Sequence, residues 1–189
     1  LIARRVRDLG VYSEIKPFDI TATEIKRLNP RGIILSGGPN SVYDKDSPQL
    51  DKKIFSLGIP IFGICYGLQL IGKNYGNVLP GKLKEYGKIQ LQINKQGQLL
   101  KKLNKKEQIW MSHGDLVTKL PKDFNVLAKT ETCPIAAMEN NERRLYGVQF
   151  HPEVAHTLNG TQILKNFIFD ICKAKKDWLI KDLKNKLIK

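Results

Sequence analysis

Two short runs, Gly32-Ile-Ile-Leu-Ser36 and Ile59-Pro-Ile-Phe-Gly-Ile64, are apolar without alternation. A strand with one wet face alternates, so a strand that does not must be covered on both faces. Pro48 to Leu57 between them suits a helix, with Pro near its start and Gly58 past its end, and Tyr66 to Lys73 suits another. Unalternating strands separated by helices mark a parallel sheet held between helical layers. The second half changes character. Lys88 to Asn94 alternates cleanly, and Glu107–Ser112, Asn125–Thr130, Pro134–Glu139 and Arg144–Phe150 read as further strands, before an amphipathic helix over Asn159–Cys172 and another over 176–188. At the other end, Leu1, Ile2, Val6 and Leu9 share a helix face that Gly10 stops; Val11 to Phe18 alternates as a strand, and Thr21-Ala-Thr-Glu24 is a capping box opening a helix that ends before Pro30. The expected fold is α/β: three layers, a mostly parallel central sheet with helices on both faces, plus a smaller antiparallel β region.

With 189 residues, 41% of them apolar, the chain suits one domain with a real core and is neither disordered nor collagen-like. No apolar run approaches the ~18 residues of a membrane span. The opening LIARRVRDLG is too charged for a signal-peptide core, and without an initiator Met or an N-cap it implies a segment upstream. Cys65, Cys133 and Cys172 are odd in number and lack C-x-x-C spacing, which argues against a disulfide framework or zinc site and fits a reducing cytoplasm. The formal charge of +14 raises the alternative of a non-catalytic, basic nucleic-acid-binding module. Most of it sits in two stretches: residues 82–106 hold eight Lys against Glu85, and 173–189 hold seven Lys against Asp177 and Asp182. Both lack the Arg and stacking aromatics of specific nucleic-acid readers, and are expected to be solvated faces, with no nucleic-acid or membrane partner.

The sharpest local feature is Gly63-Ile-Cys65-Tyr-Gly67, at the junction of an apolar strand and a helix. A nucleophile there sits on a tight turn above the sheet, with Gly or small residues two positions away so that the backbone can fold so closely. The helix aims its first N–H groups and positive dipole end at the sulfur, which favours a thiolate. The same pattern also suits a small core cysteine. A nucleophile needs a base and the base an orienter. In Phe150-His151-Pro152-Glu153, residues two apart project to one side, so Glu153 can hold one ring nitrogen of His151 while the other faces the thiol. H-x-E is also a common surface pattern, and it occurs in zinc deaminases, whose P-C-x-x-C partner is absent from this sequence. Ser36-Gly37-Gly38-Pro39 ends a strand at the same sheet edge, where open α/β sheets bind ligands. Backbone N–H groups of Gly38 and Tyr66 could converge there on an oxyanion. Alone, this loop also reads as a tight turn, or as an S-G-G-x-D-S pyrophosphate loop with Asn40 in place of Asp.

Together, Ile33–Pro39, Gly63–Gln69, Met111-Ser-His-Gly-Asp115, Thr132-Cys-Pro-Ile-Ala-Ala137 and Gly147–Thr157 resemble the class I (triad-type) glutamine amidotransferases over nearly the whole chain. The S-H-G-D segment and the H-P-E-V-x-H-T extension are similar to the branch of that family serving GMP synthesis; the branch serving chorismate-using synthases shares the triad and stays the nearest enzyme alternative. The resemblance implies hydrolysis of L-glutamine to glutamate and ammonia through a thioester on Cys65, with His151 as acid and then base and Glu153 orienting it. It implies oxyanion donors at Gly38 and Tyr66, and a substrate site of Gln69, Ser112, His113, Gly114 and Asp115, the last suited to the substrate ammonium. His113 and His156 are not base candidates, and a structural or interface role is expected of them. No metal or cofactor is implied for this domain; ATP and Mg belong to a partner ATP-pyrophosphatase domain or subunit that aminates XMP. Residues 1–172 are then the glutaminase domain without the family's first strand, and 173–189 a basic helix or linker toward that partner.

Overall fold

The computed structural model describes residues 1–178, apart from the side chains of 81–84. Helix α1 (Ile2–Asp8) ends at Gly10, whose φ is +81°. Helix α2 (Ala22–Leu28) opens on a complete capping box, Thr21 Oγ1 accepting from the Glu24 N–H and the Glu24 carboxylate accepting from the Thr21 N–H. Then come β1 (Ile33–Leu35), β2 (Ile61–Ile64), α3 (Tyr66–Tyr75), β3 (Asn77–Ile93), β4 (Lys106–Lys119), β5 (Asn125–Lys129), β6 (Ala137–Asn140), β7 (Leu145–Val148) and α4 (Gly160–Lys165), which continues as a π-helical turn over Asn166–Ile171. None of these helices is long and apolar enough to cross a membrane.

The strands form one seven-stranded mixed sheet in the order β1-β2-β7-β6-β5-β3-β4. β1, β2 and β7 run parallel, and the remaining pairings are antiparallel. The α/β architecture is as expected, but the parallel part is only three strands wide and the antiparallel part is the larger. The three parallel strands send their C-terminal ends to one edge, bringing Ser36–Gly38, Cys65 and the segment after Val148 together. β2 and β7 are buried throughout. Their side chains alternate between two cores: Phe62, Ile64, Tyr146 and Val148 join α1 and α4, whereas Ile61 and Leu145 join α2 and α3.

Four expectations change. Val11 to Phe18 forms no strand: β1 ends the sheet, no neighbour among the described residues completes a ladder for this segment, and Ile15 and Phe18 are exposed. The helix expected over Pro48–Leu57 shrinks to a 3₁₀ turn, Lys52–Ser56. The Asp51 carboxylate caps it by accepting from the Lys53 N–H and also accepts from the Ala22 N–H, so the turn starts late and Gly58 follows at once. β3 and β4 are much longer than the alternating patches suggest, so β4 runs on past Ser112, where the strand was expected to end, and carries Ser112–Asp115. Of the helix expected over 176–188, residues 176–178 are not helical and the rest lies outside the described residues. Lys88, Lys95, Lys101, Lys102, Lys105 and Lys106 are all exposed, as a solvated face requires.

Candidate active site

Cys65 stands between β2 and α3 with φ 52° and ψ −106°, a conformation that an L-residue holds only when its surroundings enforce it. Here they do. Its N–H donates to the Val148 carbonyl at 2.8 Å, fixing the turn to β7. A Cβ on Gly63 would lie 2.5 Å from the Gly67 carbonyl carbon, and one on Gly67 would lie 2.2 Å from the Leu35 carbonyl oxygen. The two glycines thus let the first turn of α3 rest directly on the ends of β1 and β2. The N–H groups of that turn have no partner within the helix. The Cys65 sulfur faces the Ser112 carbonyl at 3.5 Å, and the Gln149 Nε2 donates to it from 3.7 Å.

His151 and Glu153 follow β7. The ring Nδ1 lies 2.9 Å from Glu153 Oε1, and the imidazole meets the Cys65 sulfur. Glu153 is buried, and its second oxygen has no partner among the described residues. The surrounding backbone is tied down on two sides. Thr157 Oγ1 donates to the His151 carbonyl at 2.6 Å and accepts from the Trp110 N–H at 3.0 Å, while the His151 N–H donates to the Trp110 carbonyl. The Arg5 Nε, on α1, donates to the Glu153 carbonyl at 2.9 Å. The H-P-E-V-x-H-T extension therefore has a structural reason: Thr157 clamps the His151 backbone to β4, and His156 stacks on Trp110 at 4.6 Å. The Cys65 sulfur first, and the Glu153 carboxylate second, lift the His151 pKa from its ordinary 6.5 to about 10, with burial pulling the other way.

A cavity of about 590 Å³ opens over the sulfur, lined by Gly38, Gln69, Tyr86, Ser112, Asp115 and His151 among others. That volume suits a small polar ligand. Gly37 packs so closely that a Cβ on it would lie 2.9 Å from His151 Cε1 and 3.5 Å from Cys65 Cβ, and Gly38 lies against the Tyr66 ring. The S-G-G-P loop, Tyr66, Cys65 and His151 are thus neighbours. Ser112, Gly114 and Asp115 lie on β4 at the cavity wall, and Asp115 Oδ2 is buried without a partner among the described residues. Gln69 and His113 also line the cavity; the Gln69 Nε2 donates to the Asp115 carbonyl at 2.8 Å, and both ring nitrogens of His113 bond within the protein, as the structural role expected of it requires. Gln149 was not singled out by the sequence reading, although a lone amide in the apolar run leading to His151 was a visible signal.

With this geometry in view, the comparisons with known proteins agree with one another. The model of the glutamine amidotransferase class-I family matches residues 1–171. The chain is 54% identical over 179 residues to a GMP synthase [glutamine-hydrolyzing] of Bacillus cytotoxicus, covering 94% of the chain and 35% of that relative. It is 50% identical over 190 residues to the enzyme of that name from Caldanaerobacter subterraneus subsp. tengcongensis, covering 100% of the chain and 37% of the relative. The chain therefore spans about a third of the length of these curated relatives. Among solved structures, a Thermoplasma acidophilum protein provisionally assigned as one of the subunits of a GMP synthase superposes with a TM-score of 0.79 at 30% identity, covering 99% of this chain and 90% of that one. A Thermotoga maritima glutamine amidotransferase shares the fold, with a TM-score of 0.59 at 22% identity over 93% of this chain and 75% of its own.

Proposed function

The chain belongs to the class-I glutamine amidotransferases, and on that premise we propose that it hydrolyses L-glutamine through a Cys65 thioester and supplies the ammonia for amination of XMP to GMP. Residues 1–172 are the glutaminase domain, 173–189 lead toward the partner, and the acceptor chemistry, with its ATP and Mg, belongs to an ATP-pyrophosphatase domain or subunit. The observation that carries this reading is the position of Cys65 on a strained strand–helix turn with the His151–Glu153 pair beside it at one cavity. The relatives named above favour GMP synthesis over a chorismate-using synthase.

The Cys65 thiolate attacks the glutamine side-chain carbonyl carbon, and the oxygen takes the electron pair. Gly38 and Tyr66 N–H groups stabilise that oxyanion. The His151 imidazolium protonates the departing nitrogen as the carbon–nitrogen bond breaks, leaving ammonia and a thioester. Acylation takes the sulfur out of its hydrogen bond with the ring, and that bond is the largest cause of the raised His151 pKa. The ring, now neutral, takes a proton from water, whose oxygen attacks the thioester; glutamate leaves and the sulfur is restored. Asp115, with one carboxylate oxygen unpartnered among the described residues, pairs with the substrate ammonium.

The testing experiment is glutamate release by the chain, alone and with a pyrophosphatase partner loaded with XMP and ATP. Turnover is expected in both, rising with the loaded partner, since coupled sites assemble fully only when the acceptor is bound. Absence of turnover in both would overturn the reading.

A pH dependence follows from His151. Its pKa is raised from 6.5 to about 10, so the stability it contributes is complete below pH 6.5 and is lost as pH rises through about 10. The acid that protonates the departing nitrogen disappears over the same range. The alkaline limb of kcat/KM is expected near pH 10 and should move toward neutrality in Glu153→Gln, part of the way only, because Cys65 is the larger cause. Paired pH–rate profiles check this; a limb that stays in place in the variant contradicts it.

A further inference from the structure

Behind the cavity wall, three chain segments converge on one buried carboxylate. Glu85, on β3, is 6% exposed. Its Oε1 accepts from Thr130 Oγ1 at 2.6 Å, and its Oε2 lies 3.2 Å from His113 Nε2. On the other side of the ring, His113 Nδ1 lies 3.0 Å from the Asp115 carbonyl oxygen. A carbonyl only accepts, so Nδ1 carries a hydrogen. Nε2 and Oε2 are then held together by one further proton, and the pair is neutral overall. Thr130 is itself fixed: its hydroxyl accepts from the Cys133 N–H at 3.0 Å, and its N–H donates to the Cys133 carbonyl. The chain of bonds runs from the T-x-x-C loop through Thr130, Glu85 and His113 to Asp115. The Asp115 carbonyl takes its second hydrogen bond from Gln69, on the helix that follows Cys65.

Glu85, His113 and Cys133 also bring their ligand atoms within 4.8 Å of one another, as a metal site would. The three are accounted for without a cation: Glu85 and His113 by the hydrogen bonds above, and Cys133 by burial first and the Glu85 charge second, which push its thiol up to about 12. The Nε2–Oε2 contact at 3.2 Å holds the proton that the bond directions already require.

We propose that Glu85, acting through His113, is a positioning residue that sets the Asp115 stretch of β4 for substrate binding and so governs glutamine affinity, not the chemical step. The inference rests on the glutamine reading above. It gives a role to the S-H-G-D segment, which the reacting triad does not use, and to the Thr130 loop that leads into Thr132–Ala137.

The test is Glu85→Ala in the full chain, with melting curves to verify folding. KM for glutamine should rise about tenfold or more, the scale of a buried hydrogen-bonding group left unpartnered, with kcat within about twofold. Alkylation of Cys65 by iodoacetamide, which does not use the amino-acid pocket, should keep its rate. Glu85→Gln should restore KM to within about twofold, because its amide can accept from Thr130 and donate to the His113 Nε2. Thr130→Val gives a milder break, about threefold in KM, and decides the matter if Glu85→Ala does not fold. A folded Glu85→Ala or Thr130→Val with the parental KM, a fall in kcat alone, or Glu85→Gln as impaired as Glu85→Ala would overturn the proposal. If the parent chain does not hydrolyse glutamine at all, the glutaminase reading fails instead, so the two failures are distinct.

Discussion

Cys65→Ala is expected to lower glutamine hydrolysis at least about 10⁴-fold, the scale on which removing a covalent nucleophile from an assembled triad acts. Water cannot take the place of the sulfur, because the site is organised around an atom fixed by the turn between β2 and α3. The fold should persist. Alanine accepts a positive φ no worse than cysteine does, and the bond from the residue 65 N–H to Val148 involves no side chain. The melting temperature should therefore stay near the parent's while activity vanishes. Cys133→Ala and Cys172→Ala provide the contrast. Cys133 is fully buried, Cys172 packs against Gly32, and burial pushes both thiols up to about 12, so neither is a nucleophile. Those variants should retain the chemistry and lose stability only through small cavities, about 1 kcal/mol each. Activity retained by Cys65→Ala would remove the nucleophile from the account.

The second large effect is structural in origin and catalytic in outcome. Gly67→Ala would set a methyl carbon 2.2 Å from the Leu35 carbonyl oxygen and 2.7 Å from its carbon, both backbone atoms of a sheet strand that cannot retreat. Helix α3 must then lift from β1 and β2, and its first turn carries both Cys65 and the Tyr66 N–H. A stability loss of about 3 kcal/mol is expected, lowering the melting temperature by roughly 10 °C. Activity should fall about 10²-fold or more even in the folded fraction, since a shift of one ångström at the reacting atom has that effect. Differential scanning calorimetry with activity measured well below the melting temperature separates the two components. A Gly67→Ala protein with the parental melting temperature and turnover would show that the close approach is dispensable.

Cys65, His151 and Glu153 were legible in the sequence because each is announced by backbone requirements that leave marks: paired glycines around a turn, and a proline between two residues that must share a side. The parallel core was legible for the same reason, since strands covered on both faces cannot alternate. Other features left no local mark. Val11–Phe18 carries a strand's alternation, but a strand exists only with a partner, and β1 ends the sheet. The long β3–β4 pair is held by cross-strand bonds through Pro80 and Gly87, which read as breaks when a single strand is considered. The place of Gln69 in the substrate site came from the family resemblance; only the fold brings its amide to the Asp115 carbonyl. Glu85 and Thr130 are 45 residues apart, and nothing in either neighbourhood signals that they meet. The basic balance of the chain is legible as a number, and six of its lysines in residues 82–106 stand exposed.

The central claim, that Cys65 attacks the side-chain amide of glutamine, is tested most directly by covalent labelling with a glutamine analogue that carries an electrophile at the amide position, followed by peptide mapping. The account predicts one adduct, on Cys65, formed more slowly when glutamine competes, with Cys133 and Cys172 unlabelled. An unmodified Cys65, or labelling that glutamine does not slow, would contradict it.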